Sequence, residues 1–198
     1  MTNLIDHDHV LVRQKAKLIE VTNQYKLQDK DGNDIGAVNE VGQSKAKKLL
    51  RLASNLDQFL GHKLDITDAS GAVVLKLQRG AKLMKSKIQV LDGNEKAVGS
   101  IEQENVVGKK RFSLKGADGT ALGELQGESW ISWDFVIKDT SAAIVGRVNK
   151  KFDGLLREGF TTADTYIVTL ESSLQGPLRS LAFAAAVAID TALKQDDN

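Results

Sequence analysis

"RSLAFAAAVAID" (residues 179–190) is the most apolar stretch of the chain, and its reading decides the fold. The uninterrupted apolar run is Leu181 to Ile189, between Ser180 and Asp190. A helix needs about 20 apolar residues to cross a bilayer. Extending this run to Leu193 takes in Asp190 and Thr191, so the segment is too short to span. It is still a good helix. Pro177, the only proline in the chain, suits a first helical turn, where its missing N–H costs nothing. Ala182, Ala184, Ala185, Ala186 and Ala188 favour helix. Apolar side chains point all the way round, the mark of a helix buried on every side. Residues 177–194 therefore read as a thin helix that fits where surrounding walls are close, followed by a polar tail, 195–198.

The rest of the chain supplies the walls. Five segments align without gaps: YKLQDKDGNDIGAV (25–38), LDITDASGAVVLKL (64–77), IQVLDGNEKAVGSI (88–101), FSLKGADGTALGEL (112–125) and FVIKDTSAAIVGRV (135–148). Each opens with two apolar residues two apart, passes through a turn rich in Asp, Asn, Ser and Gly, and resumes with apolar alternation. That is the pattern of a β-hairpin with one buried face. Gly36, Gly99, Gly123 and Gly146 share one repeat position, and only Leu75 departs. Glycine there predicts a bulge or bend in the second strand. Five hairpins make ten strands. Tyr166–Leu170 adds another, and Val10–Arg13 or Lys17–Val21 a further one. About a dozen antiparallel strands close into a barrel, because closure removes exposed edges. A barrel that wide is not filled by its own side chains, so the helix is expected inside it. The fold class is mainly β: a closed antiparallel barrel of about twelve strands around a buried C-terminal helix, one domain over residues 10–194. In QSKAKKLLRLASNLDQFL (43–60), Leu49, Leu52, Ala53, Leu56 and Leu60 recur at helical spacing, which predicts an amphipathic helix or mobile loop across one barrel end.

Composition narrows the function. The formal net charge is +1 over 198 residues, so no global basic field argues for nucleic acid. There is no cysteine, which excludes disulfides, thiolate catalysis and cysteine-ligated metals. The start, MTNLIDHDHV, shows no basic leader followed by an apolar run, so no signal peptide is expected and the cytoplasm is the default compartment.

With the barrel and its helix in place, the residues resemble a family. VGRVNKKFDGLLREGFTTADTYIVTLE (145–171) followed by LRSLAFAAAVAIDTAL (178–193) resembles the phospholipid scramblase and LURP-one-related branch of the tubby C-terminal-like superfamily, especially its bacterial scramblase-like members. The order that carries the likeness is Gly146, Val148, the pair Lys150–Lys151 with Phe152, then Glu158 to Thr161 and Asp164 to Tyr166. The resemblance implies a twelve-stranded barrel around a C-terminal apolar helix. It also implies a lipid-linked role: calcium-dependent lipid scrambling or phosphoinositide binding. Eukaryotic scramblases carry a cysteine-rich acylated segment and a proline-rich leader; this chain has no cysteine and one proline. The calcium segment of the family is acidic through and beyond the last strand, whereas TADTYIVTLESSLQ (162–175) offers only Asp164 and Glu171. Strand alternation puts them on opposite faces, and calcium takes six to eight oxygens. No cofactor is expected.

The remaining candidates are cationic. Lys82, Lys85 and Lys87 form one cluster with Arg79, and Lys109, Lys110 and Arg111 another. With Ile88, Val90, Phe112 and Leu114 inward, alternation sends Lys85, Lys87 and Arg111 outward. Such groups could gather an anionic lipid headgroup, at about 1 kcal/mol per cation near a charged surface; they could equally be solubilising lysines. Lys45, Lys47, Lys48 and Arg51 could lay the 43–60 helix on a membrane. DHDH (6–9) reads as part of a flexible, solvated terminus (residues 1–9), and His62 as a loop residue. Most aspartates sit at turns (Asp29, Asp31, Asp68, Asp92, Asp118, Asp139), where Asx-turns explain them. No triad, metal cluster or phosphate cradle is written in the chain, so no enzyme is expected. The expected function is a non-enzymatic module binding anionic phospholipid headgroups, cytoplasmic or peripheral at the inner face of the membrane. The alternative is a soluble scaffold for a protein partner or small ligand.

Overall fold

The computed structural model describes residues 3–14, 23–41, 62–80, 86–105, 107–129, 134–150 and 165–193. Twelve strands form the wall: β1 (His9–Gln14), β2 (Asn23–Gln28), β3 (Asp34–Glu40), β4 (His62–Asp68), β5 (Val73–Arg79), β6 (Lys87–Asp92), β7 (Ala97–Gln103), β8 (Arg111–Gly116), β9 (Ala121–Gly127), β10 (Phe135–Asp139), β11 (Ile144–Asn149) and β12 (Thr165–Leu170). One helix follows, α1 (Gly176–Leu193). Every strand lies antiparallel beside its chain neighbours, and β1 closes the barrel against β12, with Val10 opposite Val168 and Val12 opposite Tyr166. The five expected hairpins are β2–β3, β4–β5, β6–β7, β8–β9 and β10–β11. Val10–Arg13 is the strand that closes the ring, and the rival segment Lys17–Val21 lies outside the described residues, as does 43–60.

The period-2 pattern places the core. Tyr25 and Leu27, Leu64 and Ile66, Ile88 and Val90, Phe112 and Leu114, and Phe135 and Ile137 all point inward and are at most 3% exposed. The second strand of each hairpin needs a correction of phase. Leu27 faces Gly36 but Gln28 faces Asp34, which leaves Ile35 as an extra residue. Val74, Val98, Leu122 and Val145 are the extra residues at the matching places in the other four hairpins. The bulge predicted from the glycine position is thus present in all five, including the hairpin with Leu75. Each bulged side chain packs against the core, so five apolar residues that strict alternation would waste on solvent are half-buried. The glycine after the bulge answers a close approach. A Cβ on Gly99 would lie 2.1 Å from the Lys115 carbonyl oxygen, and one on Gly123 would lie 2.3 Å from that of Lys138.

Helix α1 runs through the interior and packs most heavily on β7, then on β8, β9 and β12. Residues 181–188 are all 2% exposed or less, so the helix is buried on every side. Its leucines lean on the glycine positions: Leu181 Cδ1 and Leu178 Cδ1 would each come within 3.1 Å of a Cβ at Gly99 and Gly123. Alanine on the helix and glycine on the wall are two halves of one spacing requirement.

The topology gives the barrel two unlike ends. The five hairpin turns, the N-terminal segment and the start of α1 share one end. The segments joining β1 to β2, β3 to β4, β5 to β6, β7 to β8, β9 to β10 and β11 to β12 share the other, the long-loop end.

Three expectations are corrected. Residues 3–9 are not a solvated terminus: Leu4–Asp6 form a 3-10 turn, Leu4 is buried against the core, and β1 begins at His9. The sequence had no periodicity there to betray a plug. His62 opens strand β4 opposite Arg79 and is not a loop residue. Arg79 does not join the surface lysines. It is 6% exposed, because it shares the inward face of β5 with Leu75 and Leu77.

Candidate functional site

The outer wall carries charge in ordered pairs. Glu102 on β7 lies between Lys87 on β6 at 2.7 Å and Lys115 on β8 at 2.6 Å, with the Ser100 hydroxyl donating to it at 3.0 Å. Arg111 reaches Glu124 at 3.8 Å, and Lys138 reaches the same carboxylate at 3.9 Å. Arg147 pairs with Glu128 at 3.0 Å. Except for Arg147–Glu128, whose carboxylate lies just past β9, each pair joins neighbouring strands brought together by register and could not be read along the chain. Bonds from Lys115 and then Lys87 hold the Glu102 carboxyl down to about 2. Because its folded pKa lies below the unfolded value of 4.5, the stability it adds is present above pH 4.5 and is lost as pH falls towards 2. Glu102→Gln should therefore cost about 1 kcal/mol at pH 7, after allowance for solvent screening, and almost nothing near pH 2. Urea midpoints at the two pH values check this; an equal loss at both would show that packing, not charge, is at stake.

The sequence-predicted cations thus separate. Lys87 and Arg111 do face outward, but both are engaged by carboxylates of the neighbouring strand. Lys109 and Lys110 lie in the β7–β8 loop, and Lys109 has no carboxylate partner among the described residues. Lys82, Lys85, Lys45, Lys47, Lys48 and Arg51 lie outside the described residues. In sequence, the six stretches that link β1 to β2, β3 to β4, β5 to β6, β7 to β8, β9 to β10 and β11 to β12 contain thirteen Lys and Arg against eight Asp and Glu. The five hairpin turns and residues 171–175 contain two against five. The turn carboxylates are structural. Asp29, Asp68, Asp92 and Asp139 each accept from the backbone N–H two and four residues on, and Asp118 accepts from Thr120. Asp31 is no acceptor of this kind; its N–H donates to Asp29. Side-chain bonds from Asn33, Ser70 and Ser141, and then these backbone bonds, lower the pKa of Asp29, Asp68 and Asp139, and the backbone and side-chain bonds from Thr120 lower that of Asp118.

The β7–β8 loop is built rather than loose. Asn105 donates from Nδ2 to the carbonyls of Val107 and Lys109 at 2.9 and 2.7 Å, and its Oδ1 accepts from the Arg111 N–H at 2.9 Å. Gln103, 7% exposed, donates to the Asn105 carbonyl and accepts from the Ser86 N–H, tying this loop to the start of β6. Gly108 turns with φ at 95°. Val107 is left 83% exposed at the tip.

At the hairpin end, Arg179 stands in the first turns of α1 and is 5% exposed. Its Nε donates to the Ile5 carbonyl at 2.7 Å. One Nη donates to the Glu171 and Leu174 carbonyls, both at 3.0 Å, and the other pairs with Asp8 Oδ1 at 2.9 Å. A cleft of about 580 Å³ opens beside it, lined among others by Asn3, Asp6, Asp8, Ser172 and Gln175. DHDH is divided by this clasp: Asp8 turns to Arg179, and His9 Nδ1 lies 3.4 Å from the Thr169 hydroxyl.

Of the two calcium candidates, Glu171 follows the last residue of β12 and is exposed at the hairpin end, and Asp164 lies outside the described residues. Among the described residues no three His or acidic side chains gather to hold a metal. Nor, among them, is any helix long and apolar enough to cross a membrane.

Known proteins share this architecture. The solved structure of a protein from Arabidopsis thaliana superposes with a TM-score of 0.53 at 16% identity, covering 96% of this chain and 90% of that one. This likeness concerns the fold. A phospholipid scramblase family protein of Schizosaccharomyces pombe is 25% identical over 188 residues, 86% of this chain and 48% of that protein. The altered inheritance rate of mitochondria protein 25 of Saccharomyces cerevisiae is 24% identical over 202 residues, 86% of this chain and 61% of that one. The chain thus spans about half to three fifths of these relatives. The family model described as Scramblase matches residues 1–193, from the N-terminal plug through all twelve strands to the end of the central helix, and on that match the chain belongs to the scramblase family.

Proposed function

We propose that this chain is a non-enzymatic, phospholipid-linked module that docks peripherally on an anionic bilayer surface, at the inner face of the membrane, with its long-loop end. The observation that supports this most is a charge asymmetry along the chain: the stretches that link one hairpin to the next carry a cationic surplus in sequence, and the hairpin turns an anionic one. Such a distribution orients the molecule in the field of an anionic leaflet before contact. The headgroup contacts are assigned to Lys109 and Lys110, with Lys82, Lys85, Lys45, Lys47, Lys48 and Arg51 of the other strand-linking stretches. Lys87 and Arg111 contribute less, being engaged by Glu102 and Glu124.

The same geometry speaks against the barrel wall facing lipid. A membrane barrel shows an apolar outer belt, whereas β6 to β11 carry ion pairs outward here. Lipid movement across a bilayer is therefore not assigned to this chain alone. Co-sedimentation with phosphatidylglycerol vesicles tests the reading. Binding should fall steeply between low and high salt and should not change on adding calcium. Absence of salt-sensitive binding would leave the barrel as a soluble scaffold for a protein partner.

A further inference from the structure

We infer that the β7–β8 loop is a membrane-contact tip, in which Val107 enters the interfacial region of an anionic bilayer while Lys109 and Lys110 engage its headgroups. The inference rests on the surface-docking reading above and names the element that makes contact.

Three observations converge on it. Val107 is 83% exposed, against 37% and 46% for Val41 and Ile144, the other exposed large apolar residues described. A valine presented so fully is not left over from a collapsed loop, because the loop is held. Asn105 alone closes it with three hydrogen bonds, and Gly108 makes the reversal that turns Val107 away from the barrel. A rigid tip inserts without an ordering penalty. Next, the two residues after Gly108 are lysines, and Lys109 is uncompensated among the described residues. An apolar point flanked by cations matches the layered chemistry of an anionic leaflet, apolar below and phosphate above. Finally, the tip is one of the strand-linking stretches that together carry a cationic surplus in sequence. A folded protein partner would not require that surplus; a charged plane would exploit it.

The chain has no cysteine, so a single reporter can be placed at will. Val107→Cys carrying a polarity-sensitive NBD fluorophore is mixed with phosphatidylcholine vesicles with and without phosphatidylglycerol, and co-sedimentation is followed in parallel. Asn94→Cys in the β6–β7 turn, at the opposite end, is the control. The expected result is a blue shift with rising intensity at position 107 on anionic vesicles, and no change at position 94. Val107→Asp, at a position 83% exposed, should weaken vesicle partition roughly tenfold with an unchanged melting temperature. Co-sedimentation without a shift at 107 would overturn the tip while leaving surface docking intact. Equal shifts at both positions would reveal unoriented adsorption and overturn it too. No co-sedimentation would remove both readings. A shift in membrane-free extract but not on vesicles would assign the tip to a protein partner and overturn the proposal.

Discussion

Arg179→Met will lower the unfolding free energy by about 3 kcal/mol, although methionine suits both helix and core. The guanidinium closes the hairpin end of the barrel. It holds the carbonyls of Ile5, Glu171 and Leu174 and the carboxylate of Asp8, and so binds the N-terminal plug, the β12–α1 link and the helix to one point. Methionine fills the volume but removes the donors to the Ile5 and Leu174 carbonyls and to Asp8, while the Glu171 carbonyl keeps the Leu174 N–H. An unmatched acceptor in a buried place costs far more than a matched one gains. Asp8→Asn should cost much less, about 1 kcal/mol, because Asp8 is 39% exposed and water can take over. Urea unfolding of the two variants checks the ranking. If Arg179→Met loses less than Asp8→Asn, the carbonyl bonds are not the source of the clasp's strength.

Gly99→Ala will cost about 3 kcal/mol or more, for a different reason. The new methyl would sit 2.1 Å from the Lys115 carbonyl oxygen and 3.1 Å from Leu181 Cδ1. The first contact is backbone in a central ladder, which cannot swing away as a side chain would. Either β7 and β8 separate or α1 is displaced. Gly80→Ala is the matched control, since nothing lies within 4 Å of a Cβ there, and it should be neutral within about 0.5 kcal/mol. Similar losses for both would mean that glycine at 99 serves chain flexibility rather than close approach.

Read from sequence, the barrel was plain because its physics is local and repeated. Alternation and a polar turn recur five times, and the glycine four times. An apolar helix too short for a bilayer needs an enclosing wall. Two of the three departures, Arg79 and residues 3–9, have different origins. Arg79 was legible by parity with Leu75 and Leu77, but Lys82, Lys85 and Lys87 follow it closely in the chain, and that proximity outweighed alternation. The plug at Leu4 carries no period at all; it is buried only because the barrel mouth is there to receive it.

The candidate site divides along the same line. The sequence by itself determined which residues alternate inward, that a helix fills the interior, and which side chains are cationic. Only the tertiary structure decided which cations are already neutralised, since Lys87 meets Glu102 and Arg111 meets Glu124 across strands rather than along the chain. It also decided that Val107 stands out from its loop and that Arg179 joins segments more than 170 residues apart. Period and composition are properties of neighbours along the chain. Charge compensation, close approach and exposure are properties of neighbours in space, and the closure of the barrel creates them.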